Sequence, residues 1–186
     1  MNRGIFILAA SLLLSACGSR SGLPSYGVVP DFSLTDQSSR PFDSKKVLEG
    51  KVWVANFIFT TCMGPCPRMT TQFRKLRDEV QDHPDLRMVS FTIDPVRDTP
   101  EALSTYGRNF GANPNKWYFL TGEQKNLHHL SRNVFMLGDI DGSLEHSSRF
   151  VLIDRHSRIR GFYDSSDTEA MQKLLIDLRD LLGAKD

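Results

Sequence analysis

One stretch limits the fold more than any other: KVWVANFIFT, residues 51–60, where β-branched and aromatic side chains follow one another without the alternation of a half-wet strand. Such a run is stable only with both faces covered, which predicts a central strand between two layers. It ends in TTCMGPCP, delivering Cys62 and Cys66 to the start of a helix. Pro67 suits a first helical position, and Met69, Phe73, Leu76 and Val80 recur at helical spacing up to the His83-Pro84 break.

The flanking sequence alternates strands and helices. Residues 31–35 and 40–42 read as a small hairpin around Phe32, Leu34 and Phe42; residues 86–93 and 117–120 read as further strands. Thr99 is a natural N-cap with Pro100 as N1 of a helix through Tyr106 and Phe110, and Thr121-Gly122-Glu123 opens another with Leu127 and Leu130. Residues 150–153 and 159–162, joined by Asp154-Arg155-His156-Ser157-Arg158, predict an antiparallel hairpin, and a helix over about 167–182 carries Met171, Leu174, Leu175 and Leu178. Together these imply one α/β domain with crossover connections and no internal repeat.

The first residues differ in character. Arg3, an apolar segment over 5–14 and Leu14-Ser15-Ala16-Cys17 form an export signal, too short to be a first choice for a membrane span. The small residues before Cys17 resemble the lipobox of bacterial lipoproteins, which implies cleavage of residues 1–16 and a lipid on Cys17. Residues 17–29, rich in Gly, Ser and Pro, are expected to form a flexible tether, with the domain running over 30–186. The expected location is the periplasmic face of a bacterial cell envelope, membrane-anchored through that lipid.

Charge adds an exclusion. Without Arg3 the chain has 22 basic residues against 22 acidic, which gives no electrostatic basis for binding nucleic acid or a polybasic membrane patch.

Of three cysteines, one is spoken for by the lipid, leaving Cys62 and Cys66. Two cysteines build no disulfide framework; in an oxidising compartment a close pair is a redox couple, a metal site or a local staple. At a helix N-terminus the expected form is thiolate, the species that attacks disulfides and ligates metals. Met63 between them reads as loop packing, and His83, His128, His129 and His156 each have a bland local account.

With three residues between its cysteines, the pair departs from the two of thioredoxin. TTCMGPCP, VSFTIDPVRDTPEAL (residues 89–103) and EHSSRFVLID (residues 145–154) together resemble the Sco/SenC family over nearly all of the chain after the tether. The resemblance implies a thioredoxin-like three-layer sandwich: a central mixed β-sheet flanked by helices, an N-terminal hairpin extension, and a C-terminal hairpin plus helix. It also implies copper, as Cu(I), Cu(II) or both, held by Cys62, Cys66 and His146, and a role in assembling the binuclear copper centre of cytochrome c oxidase. The implied partners are that oxidase's copper-accepting subunit and another copper chaperone or thiol-disulfide reductase. Asp94 and Asp98 fall in the family's DPxxDTP pattern and are expected to support the loop. Many relatives have proline where this chain has Met63.

The donor set agrees, since two thiolates and an imidazole suit copper, whereas zinc usually takes four ligands. Two rivals share the cysteines. A thiol-disulfide oxidoreductase needs only the pair; a thiol peroxidase needs a peroxidatic cysteine in its own activating pocket.

Overall fold

The computed structural model describes residues 22–137 and 147–184. One eight-stranded mixed sheet runs through the molecule: β1 (Gly27–Val28), β2 (Ser33–Asp36), β3 (Pro41–Asp43), β4 (Val52–Ile58), β5 (Leu86–Thr92), β6 (Trp117–Thr121), β7 (Arg149–Ile153) and β8 (Arg158–Asp164). Their spatial order is β1-β8-β7-β4-β5-β6-β2-β3. Strands β4, β5 and β6 are mutually parallel, and the remaining pairings are antiparallel.

Every residue of β4 is buried, as its unbroken apolar run requires. On one face Phe73 packs its ring against Trp117 and Phe150, and Tyr106 against Phe119. Those contacts seat α2 (Pro65–Glu79) and α3 (Pro100–Asn109). A third helix, α5 (Thr168–Gly183), joins this layer, with Asp177 accepting from the Tyr163 hydroxyl at 2.6 Å. The other face carries Trp53, Phe57 and Phe91 around Phe135, and Phe32 and Phe42 close that cluster. The second layer is supplied by α4 (Gln124–His129) and the π-helix Leu130–Val134, where the Phe135 amide donates to the Leu130 carbonyl. The arrangement is the expected three-layer α/β sandwich, and the N-terminal hairpin docks on the sheet edge through β2 against β6.

Two expectations change, and one helix is added to those expected. Residues 22–29 are not all tether: Gly27 and Val28 pair with Ile159 and Arg158, and the buried Arg160 guanidinium donates to the carbonyls of Leu23 and Pro24. A short helix α1 (Ser44–Leu48) follows the hairpin, its first turn capped by the Asp43 side chain. The cysteine helix begins at Pro65, two residues earlier than expected, so Cys66 sits inside its first turn.

Candidate metal centre

Two parallel strands bring the site together. Because β4 and β5 run the same way, the cysteine loop after β4 lies beside the loop after β5, and the Ile93 amide donates to the Ile58 carbonyl at 2.9 Å. Local geometry then turns the chain from strand to helix: the Cys62 amide donates to the Phe59 carbonyl, and Gly64 occupies the N-cap at φ −110°, ψ −109°.

Cys62 and Cys66 are both free thiols and both buried, Cys66 completely. The Cys66 amide donates to Cys62 Sγ at 3.4 Å, and the two sulfurs share a side-chain hydrogen bond. One sulfur thus receives a helix-terminal N–H, as the position of the pair at a helix start anticipates. The expected thiolate character is corrected at Cys66. Burial, first, pushes its thiol far above the ordinary range; the Cys62 sulfur adds to this, a backbone contact with Phe59 opposes it, and the Cys62 and Asp98 charges reinforce it. Burial therefore favours the protonated form at Cys66 over the expected thiolate.

Asp98 is the support that sequence reasoning placed only loosely. Completely buried, it faces inward: its carboxylate accepts from the Thr60 amide at 3.1 and 3.2 Å, from Thr60 Oγ1 at 2.5 Å and from Thr92 Oγ1 at 2.5 Å. Thr60 stands two residues before Cys62, so the carboxylate fastens the root of the cysteine loop to the end of β5. Thr60 and Thr92 were not singled out from the sequence, since they meet Asp98 only through the pairing of β4 with β5. Helix capping, also expected of this loop, falls to Thr99, whose Oγ1 accepts from the Ala102 amide. Asp94 pairs with the Arg97 side chain and receives the Asp98 and Arg97 amides on its carbonyl, which shapes the turn. Tyr106 and Thr70 share a buried hydroxyl contact of 2.8 Å on the helix side, and burial again raises the phenol above its ordinary value.

Met63 departs from the packing expected of it, since its side chain is 100% exposed between two buried cysteines. His146 and Cys17 lie outside the described residues. Among the described residues no group of three or more His, Cys, Asp or Glu is placed to hold a metal. Of the expected donors the structure therefore brings together the two sulfurs. Those sulfurs fit a soft cation such as copper: both are free, they touch one another, and they sit at a helix terminus. Of the other histidines, His83 Nδ1 accepts from the Asp85 amide, and His156 lies in the β7–β8 turn.

The SCO1/SenC family model matches residues 22–182. The chain belongs to the SCO1/SenC family. The SCO2-like protein of Rickettsia conorii is 36% identical over 155 residues, covering 77% of this chain and 74% of that protein. The structure of BsSco, a member of the Sco family of cytochrome c oxidase assembly proteins in which a disulfide switch was identified, superposes with a TM-score of 0.75 at 26% identity, covering 88% of this chain and 97% of that one. Copper-bound ScoI of Bradyrhizobium japonicum shares the fold, with a TM-score of 0.67 at 23% identity over 83% of this chain and 99% of that one. The thioredoxin-like fold expected of this SCO1/SenC protein is thereby established. Among the described residues no helix is long and apolar enough to cross a membrane.

Proposed function

We propose that this protein is a copper metallochaperone that carries one copper ion on Cys62, Cys66 and His146 and passes it to the copper-accepting subunit of cytochrome c oxidase. The observation that carries the reading is the pair of free, mutually hydrogen-bonded sulfurs at the head of α2. Membership of a family whose relatives include an oxidase assembly protein and a copper-bound structure supports it.

In this reading copper is cargo. Binding Cu(I) replaces the thiol protons, which pass to solvent, and no electron moves. His146 supplies the third donor from the segment before β7, and Cys17 carries the lipid that anchors the domain on the periplasmic face of the cell envelope. Burial of the sulfurs shields bound Cu(I) from solution thiols and oxygen. Asp98, through Thr60, holds the loop so that both sulfurs point at one place.

The test is a copper titration of the reduced chain. One Cu(I) is expected per molecule, with thiolate-to-metal charge-transfer bands when Cu(II) is bound instead. His146→Ala is expected to weaken binding markedly; unchanged affinity in that variant sinks the three-donor set.

A second reading rests on the same sulfur contact. A dithiol this close closes to a disulfide, giving two electrons and two protons to a disulfide of the copper-accepting subunit. It separates cleanly: thiol transfer requires both cysteines but not His146, so full biological activity of His146→Ala favours it.

A further inference from the structure

The site's burial is inverted across five residues. Cys62 is 9% exposed and Cys66 0%, while Met63, directly after the first, is 100% exposed. Nothing in the fold requires a methionine there, because its side chain packs on nothing, and the backbone at Gly64 is equally open, with no atom within 4 Å of the position a Cβ would take. An apolar side chain held wholly in water forgoes the gain of burial that methionine ordinarily finds in a loop or core. Its thioether is, however, a soft, uncharged donor that needs no deprotonation to bind Cu(I).

We propose that Met63 is the capture ligand of the copper site: its exposed thioether takes Cu(I) from a donor at the surface and passes it inward to Cys62 and Cys66. This rests on the copper-carrier reading above and adds the order of events to it. The exchange is a ligand substitution. A Cu(I)–donor bond breaks as the Cu(I)–Sδ bond of Met63 forms; that bond then breaks as the two thiolates bind, and the thiol protons leave to solvent. Copper stays Cu(I) throughout. Because Met63 is absent from the final donor set, its loss changes the rate of loading and not the affinity. Met63 directly follows Cys62 in the loop that carries both cysteines, which places the capture step next to the final donors in the chain.

Stopped-flow loading of the reduced full chain from the coloured Cu(I)–bicinchoninate complex tests this, with Met63→Leu as the variant that keeps size and apolarity but lacks sulfur. The expected result is a loading rate about tenfold or more below that of the unaltered chain, within the range of rate changes seen among variants of one interface, with equilibrium Cu(I) affinity unchanged. Equal loading rates in the two proteins overturn the proposal. A loss of equilibrium affinity in Met63→Leu also overturns it, since that makes Met63 a resident ligand. Failure of the unaltered chain to take up Cu(I) at all refutes instead the copper-carrier reading, and this inference with it.

Discussion

Replacing Asp98 by alanine tests how far one buried carboxylate governs the cysteine loop. The change strips the acceptor from three donors: the Thr60 amide, the Thr60 hydroxyl and the Thr92 hydroxyl. Thr92 is fully buried, and stranding its hydroxyl costs about 1–3 kcal/mol, while the half-buried Thr60 groups lose about 1 kcal/mol each. Removing a desolvated charge returns part of this, leaving a net loss of about 3 kcal/mol. At this chain length that corresponds to a fall in Tm of about 6–12 °C, read by circular dichroism on the reduced protein. Asp98→Asn keeps one oxygen acceptor and should lose about half as much. Stability alone does not test the link to the site, so the second readout is the alkylation rate of the two thiols, which should rise in both variants as the loop comes free. A drop in Tm below about 2 °C together with unchanged alkylation rates refutes the claim that Asp98 holds the loop.

Other parts of the molecule make equally direct predictions. Burial alone would raise the Asp154 carboxyl, yet the Arg160 and Arg158 side chains and the Arg158 and His156 amides hold it below the usual carboxylate range. A depressed folded-state value stabilises the protein above about pH 4 and the gain is lost as pH falls through that value; Asp154→Asn should therefore show a large urea-midpoint deficit at pH 7 that narrows below pH 4. Arg160→Met removes the 2.6 Å partner of that acid, leaving it Arg158, and frees residues 23 and 24, with an expected loss of about 2–3 kcal/mol in urea denaturation and early proteolysis near the N-terminus. Gly107→Ala places a Cβ 2.9 Å from the fully buried Phe119 ring, so despite better helix propensity it should destabilise by about 1–3 kcal/mol. Mild oxidation should close the Cys62–Cys66 pair, abolish Cu(I) uptake and be reversed by reductant, as measured by thiol titration alongside copper binding.

Much of this architecture was legible because it rests on local pattern. The unbroken apolar run of β4 announces a strand covered on both faces, the Thr99-Pro100 pair starts α3 where capping chemistry requires, and Asp167 caps α5. What escaped depends on distant partners. Strand β1 lies in polar, Gly- and Ser-rich sequence, and its order comes from β8 and from Arg160, more than 130 residues away along the chain. Helix α1, five residues long, is too short to show a helical period. The DPVRDTP loop reads as turn chemistry, and nothing in its own sequence says that Asp98 turns inward to meet Thr60, 38 residues earlier. The upward push on the Cys66 thiol is hidden for a related reason: a helix start is visible in sequence, but the depth of burial is not. The positions of Cys62 and Cys66 needed only the motif, whereas His146 came from family resemblance alone.

Copper K-edge X-ray absorption of the reduced chain loaded with one Cu(I) tests the central claim most directly. The proposed site predicts a first shell of two sulfur donors and one nitrogen, with the nitrogen lost in His146→Ala and the sulfurs lost when both cysteines are changed to serine. A shell without sulfur, or one that is the same in His146→Ala as in the unaltered chain, contradicts it.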